Sequence, residues 1–220
     1  YGSVWQIRYP IRVSIFQNSN SAERIYEGAR SDLDSSVKTM CLESLDLGQI
    51  HYVRTSQDSE EIEGPGGALQ AFLEARDAGL VRFLGVTGHH DPQVLLYAVE
   101  NWPVDSVLLP VNPAEAVRGG VLDRVMGAAM DRGLAVIGMK VMGASHYISP
   151  QHGVTAELLL RFALSQPIST AIVGCSSPAE VAGLAKAGRD FQPLPEAEEK
   201  MLLEIFRPHA RRLAYYRGAY

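Results

Sequence analysis

A (β/α)8 barrel is the fold class this sequence predicts, with its first strand and part of its second unit expected to lie outside the 220 residues. Three observations predict it. Short apolar segments alternate with helical patterns almost to the end of the chain. Those segments are continuously apolar, which places helices over both faces of a parallel sheet. No GxGxxG follows an apolar segment, and that sets the barrel ahead of a doubly wound dinucleotide sheet. Gly64-Pro65-Gly66-Gly67 lacks a strand before it and reads as a loop and helix start. One domain over residues 1–220 is expected.

In order, Val13–Phe16 reads as a short strand, and Arg24–Ser44 as a helix with Leu33, Val37, Met40 and Cys41 on its core face. Ser44–His51 is the next strand. Leu69, Phe72, Leu73 and Arg76 trace a helix that Gly79 ends. Val81–Val86 is a strand, Asp91 caps a helix with Pro92 at its first position, and that helix runs to Asn101. Ser106–Val111, Leu134–Met139 and Ser169–Gly174 are strands; Gly120–Asp131 and Thr155–Ser165 are helices. Ser177-Pro178-Ala179-Glu180 is a capping box with proline at the first helical position. Pro195, with Glu196, Glu198 and Glu199 behind it, opens the last helix.

Composition narrows the classes. Apolar residues at 46% and charged residues at 20% describe an ordinary soluble globular protein, and a net charge of -5 gives no basis for nucleic-acid binding. Arg207, Arg211, Arg212 and Arg217 read as a solvated helix face. Cys41 and Cys175 show no metal-ligand spacing and are expected reduced, in or near the core. No apolar run approaches the roughly 18 residues of a membrane span, and no leader opens the chain, so a cytoplasmic location is expected.

In a barrel the C-terminal strand ends form the functional face. Here they carry Gln17 and Asn18, Gln49 and His51, Thr87 to His90, Asn112, Met139 and Lys140, and Gly174 to Ser177. His51, His89 and His90 are the one candidate metal cluster, but carboxylates are few and no metal is expected. His51 reads as a substrate-orienting donor or as a structural histidine; His89 and His90 read as rim. Lys140 sets a charge at the open face, suited to a phosphate or carboxylate. Gly174-Cys175-Ser176-Ser177 offers backbone N–H groups and hydroxyls at a helix N-terminus, a candidate anion site.

The chain resembles the aldo-keto reductase family, in its bacterial branch with a TGH segment. The matching stretches are Leu33-Asp34-Ser35-Ser36-Val37 through Asp46-Leu47-Gly48-Gln49-Ile50-His51, and Ala75-Arg76-Asp77-Ala78-Gly79-Leu80-Val81-Arg82 into Gly85-Val86-Thr87-Gly88-His89. Val111-Asn112-Pro113, Gly138-Met139-Lys140-Val141-Met142-Gly143 and Ile172-Val173-Gly174-Cys175-Ser176-Ser177 continue the match.

The resemblance implies hydride transfer between a nicotinamide cofactor and a small carbonyl or alcohol, with NADPH expected over NADH. It makes His51 the carbonyl-directing histidine and Tyr1, in Tyr1-Gly2, the acid. It places Asn112 on the nicotinamide carboxamide and Met139 near its ring; Lys140 is counted with them as a cofactor-binding candidate. Gly174, Cys175, Ser176, Ser177 and Glu180 would run along the phosphates and adenosine, with Lys186 and Arg189 candidates for a 2′-phosphate.

The family's aspartate lies outside this sequence, and Gln17 and Asn18 occupy the neighbourhood of its lysine. Truncation, altered catalysis and replacement of that charge by Lys140 are the competing accounts. The alternatives to a reductase are an impaired barrel that binds a nucleotide or metabolite, and a structural subunit. The tail from Pro208 to Tyr220, with Tyr215, Tyr216 and Tyr220, is left open between closing the mouth, packing on a partner and fraying; oligomeric state is not assigned.

Overall fold

A computed structural model describes residues 17–218. Its strands are β1 (Asn18–Ser21), β2 (Leu45–Ile50), β3 (Val81–Thr87), β4 (Ser106–Pro110), β5 (Ala135–Met139) and β6 (Thr170–Ala171). They form one 6-stranded sheet in sequential order, and every neighbouring pair is parallel. The helices after β1 to β3 are α1 (Tyr26–Thr39), then α2 (Ser56–Glu63) with α3 (Ala68–Asp77), then α4 (Pro92–Asn101). After β4 come α5 (Pro113–Arg118) and α6 (Met126–Asp131); after β5, α7 (Ala156–Ser165). The chain finishes with α8 (Pro178–Arg189), α9 (Glu196–Phe206) and α10 (Ala210–Leu213). Sequential order without a reversal is barrel topology; a doubly wound sheet reverses at its switch point. β1 and β6 are the two edges of this barrel arc among the described residues.

The expected strand Val13–Phe16 lies outside the described residues. The first strand seen is the polar Asn18–Ser21, so Gln17 and Asn18 stand at its beginning and not, as expected, past its tip. The inner strands fit their sequence. β2 and β4 are buried nearly end to end, with Leu45, Leu47, Ile50, Val107 and Leu109 in the core. Phe72, Ala75 and Ala71 of α3 and Leu95, Ala98 and Val99 of α4 cover them.

Three helix ends share one hydrogen-bond pattern. Gly79 N–H bonds to Arg76 O and Leu80 N–H to Ala75 O; Gly133 and Leu134 repeat this behind α6. Both glycines have positive φ, 74° and 69°, as this left-handed stop requires. Behind α1, Cys41 takes the glycine's place at φ 54°, with Leu42 N–H on Val37 O. The helix therefore stops at Thr39, five residues short of the expected Ser44, and the expectation of buried cysteines fails. Met40 is 37% exposed, and Cys41 and Cys175 are exposed free thiols.

α2 and α5 were not expected from periodicity. α2 buries only Ser59 and Ile62, so no apolar stripe marks it; its signal is the Thr55–Asp58 capping box. β6 is shorter than Ser169–Gly174, because pairing to β5 runs out after Ile172 N–H reaches Gly138 O. No helix among the described residues is long and apolar enough to cross a membrane.

Candidate active site

Parallel pairing sets every strand tip at one end of the sheet, so side chains distant in sequence come to the same end. His51 follows β2 directly; its N–H donates to Ser21 O at 2.7 Å and its carbonyl accepts from Arg24 Nη1 at 3.1 Å. Arg24 also donates to Ala22 O and Tyr52 O, each at 2.8 Å, and its Nε meets Asp58 Oδ1 at 3.1 Å. This guanidinium is spent on fixing the backbone that carries His51 and Tyr52.

Tyr52 sits at φ 63°, a left-handed conformation that costs a non-glycine residue roughly 1–2 kcal/mol. Thr87 Oγ1 accepts its N–H at 2.9 Å, and its ring stacks on His89 with centroids 4.3 Å apart.

The electrostatics disfavour the charged form of both histidines. Burial lowers the His51 pKa, and the charges of Arg24 and Lys140 lower it further. Burial, then Lys140, pulls His89 down to about 4. His89 Nδ1 donates to the Tyr216 carbonyl at 3.4 Å.

A histidine with a depressed folded pKa holds fewer protons than in the unfolded chain between its two pKa values. His89 therefore contributes stability above pH ~6.5 that is lost as pH falls towards 4. His89→Gln should flatten that acid limb by about 1–2 kcal/mol, solvent screening included. Urea unfolding at pH 7 and pH 5 measures it; parallel limbs for the two proteins would show that His89 does not carry the effect.

Lys140, also in the left-handed region at φ 55°, ends β5 next to half-buried Met139. Its Nζ lies 5.4 Å from the centroid of the Tyr216 ring, and burial lowers its pKa. Asn112 is wholly buried. Its Oδ1 caps α5 by accepting the Glu115 N–H at 3.1 Å, and its Nδ2 donates to Lys140 O at 3.2 Å and to Tyr216 Oη at 2.9 Å.

Behind Asn112, the fully buried Glu115 carboxylate pairs with Arg217, whose Nη2 also reaches Gly119 O at 2.8 Å. Arg217 is therefore no part of a solvated basic face, although Arg211 and Arg212 are exposed. Burial raises the Glu115 pKa and Arg217 opposes that rise. Burial, and next to it Glu115, raises the Tyr216 phenol, which makes it a poor proton donor.

The loop holding Gly174, Cys175, Ser176 and Ser177 follows β6 at the same end and is largely exposed. Ser177 Oγ accepts the Glu180 N–H at 3.2 Å, and the Glu180 carboxylate accepts the Ser176 N–H at 2.7 Å. The candidate anion site thus already holds an internal carboxylate. Lys186 and Arg189 lie in the last turn of α8, at the other end of that helix from Ser177, and Lys186 pairs with Asp190.

Tyr1 lies outside the described residues. Among the described residues no group of three His, Cys, Asp or Glu side chains is arranged to hold a metal. Arg24, Glu115 and Arg217 carry much of the site's order, and sequence reading missed them. The Asn112–Glu115 spacing is the one signal that could have drawn attention to Glu115, since it forms a helix cap.

Several solved structures similar to this one are aldo-keto reductases. One from Bacillus halodurans, in its holo form, matches with a TM-score of 0.65 at 16% identity, over 96% of this chain and 76% of its own. A thermostable aldo-keto reductase in complex with the inhibitor epalrestat gives 0.65 at 20%, over 86% and 69%. An aldo/keto reductase from Brucella melitensis gives 0.63 at 18%, over 89% and 74%. No family model and no curated protein matches the sequence. The described residues have the (β/α)8-type barrel fold of the aldo-keto reductases, with identities low enough that the likeness is one of fold.

Proposed function

We propose that this chain is an aldo-keto reductase, an NAD(P)H-dependent oxidoreductase that interconverts a small carbonyl compound and its alcohol. The observation that carries the reading is His51: a half-buried imidazole at a strand tip, its pKa lowered, its backbone clamped by Arg24, beside a mouth that also holds Lys140. A neutral imidazole can donate an N–H to a carbonyl oxygen and set its orientation. Tyr1 remains the acid that the resemblance assigns.

The residues at the mouth suit a dinucleotide in their chemistry. Asn112 offers an amide N–H that a carboxamide oxygen can take over from Tyr216, Met139 an apolar contact, and Lys140 a cation with no carboxylate partner among the described residues. Ser176 and Ser177 would meet phosphate once Glu180 yields the Ser176 N–H, and Gly174 and Cys175 would complete that wall. The nicotinamide would supply the hydride. NADPH is the expected cofactor, with NADH the other candidate. A cytoplasmic single-domain enzyme without nucleic-acid partners belongs to the same reading.

His51→Ala should lower kcat for aldehyde reduction by about 100-fold or more while changing dinucleotide affinity by less than about 3-fold. Nicotinamide fluorescence gives the affinity, and loss of its absorbance with aldehyde present gives the rate. Equal losses in both, with the near-UV spectrum unchanged, would remove His51 from its role. One observation favours a barrel that binds without turnover. β1 and the residue behind it read Asn18, Ser19, Asn20, Ser21, Ala22, with no lysine, and the next cation, Arg24, is fully engaged. Dinucleotide binding without aldehyde-dependent oxidation would select it.

A further inference from the structure

The chain's own C-terminal segment fills the mouth. Beyond α9 and α10, residues 214–218 run back across the tips of β3, β4 and β5. Gly218 N–H donates to His90 O at 3.2 Å, His89 Nδ1 to Tyr216 O at 3.4 Å, and Tyr147 Oη to Leu213 O at 2.9 Å. Tyr216 is 8% exposed, and the Arg217 side chain is held in the buried pair with Glu115.

The chemistry around Tyr216 is that of a ring site. Asn112 Nδ2 donates to its oxygen, the Lys140 ammonium lies over its face, and the His89 ring meets it edge-on, with centroids 5.5 Å apart and planes at 83°. Any planar ring carrying an acceptor oxygen in its plane satisfies the same three groups. A nicotinamide with its carboxamide oxygen is such a ring. When the tail leaves, Asn112 keeps its cap on Glu115 and its bond to Lys140 O, so of its own groups only one N–H needs a new partner, while the Glu115 carboxylate gives up Arg217 and makes release costly.

We propose that Tyr216, latched by the Arg217–Glu115 pair, is an internal plug that competes with the nicotinamide ring for Asn112 and Lys140, so that cofactor binding and tail release are a single equilibrium. The proposal rests on the dinucleotide reading above. The apparent affinity then equals the intrinsic one reduced by the open fraction, and weakening the plug tightens binding. The adenosine end does not touch the plug, so a ligand without the ring is indifferent to it.

The test uses full-length chains: wild type, Tyr216→Phe, which loses the Asn112 bond, and Tyr216→Ala, which loses the ring. Each is titrated with NADPH, NADH and ADP-ribose, and hydrogen exchange is followed over residues 210–218. Tyr216→Phe should bind the nicotinamide dinucleotides about 5-fold more tightly and Tyr216→Ala more than about 10-fold, with ADP-ribose affinity unchanged. NADPH should speed amide exchange in residues 210–218 of the wild type, the reverse of ordinary ligand protection. If Tyr216→Ala fails to fold, Tyr216→Phe with the exchange measurement decides.

Wild-type binding of NADPH with slowed tail exchange and no tightening in Tyr216→Phe would overturn the plug and leave the oxidoreductase reading standing. No binding of NADPH, NADH or ADP-ribose by the wild type or by either folded variant would overturn both.

Discussion

Arg217→Met should lower the unfolding free energy by about 3–5 kcal/mol at pH 7, because it leaves the Glu115 carboxylate buried without its counter-charge. Both partners are out of solvent, with side-chain exposures of 6% and 0%, so solvent screening gives little relief. Methionine restores much of the apolar stem and removes the bonds to Glu115 and Gly119 O. The sign with pH follows from Glu115. Burial already raises its pKa, and loss of Arg217 removes a group that lowers it. Its folded form then binds a proton more readily than its unfolded form, so the deficit shrinks as pH falls from 7 towards 5.

Urea unfolding at the two pH values measures this. Glu115→Gln combined with Arg217→Met should cost less than Arg217→Met alone, since no charge is then stranded. A loss below about 1 kcal/mol at pH 7, with no recovery at lower pH, would show that the pair does not hold the tail.

The same latch shows where sequence reading stops. The tyrosines of the tail were visible as a cluster, but Tyr216 and Glu115 meet only through folding, 101 positions apart in the chain. Local chemistry was legible wherever one residue type has one use. Asp91 with Pro92, Ser177 with Pro178, and Gly79 all stand where the sequence puts them.

The α1 terminus was not legible, because Cys41 adopts a glycine's conformation and a pattern search runs past it. α2 was missed because a helix that buries two residues leaves no periodic stripe. β1 was missed because its residues, Asn-Ser-Asn-Ser, are unlike a buried strand and gain their place by pairing with β2. For the site, parallel pairing brings the named strand tips to one end of the sheet, the end at which they were expected. What the tips could not give is that Asn112 and Ser176 already have internal partners, since those contacts come from Tyr216 in the distant tail and from the Glu180 side chain folding back.

Phe72→Ala should be comparably damaging, about 3–5 kcal/mol, which in a protein of this size corresponds to a melting temperature lower by ~10 °C. The ring is 0% exposed and fills the space that Gly48 leaves on β2. A Cβ at Gly48 would stand 3.1 Å from Phe72 Cε1 and 3.0 Å from Val81 Cγ1. Gly48 and Phe72 thus form a knob and its socket, and β2 runs from that socket to His51.

The contact predicts a particular non-additivity. Gly48→Ala alone should destabilise by about 1–2 kcal/mol, because its methyl meets a ring that cannot retreat from a packed core. In the Phe72→Ala background the same methyl is rid of the ring but keeps its contact with Val81, so it should cost less than in the wild type. Thermal melts of the four proteins complete the cycle. Additive losses would mean that the ring does not seat against Gly48, and the strand that carries His51 would then owe its position to something other than α3.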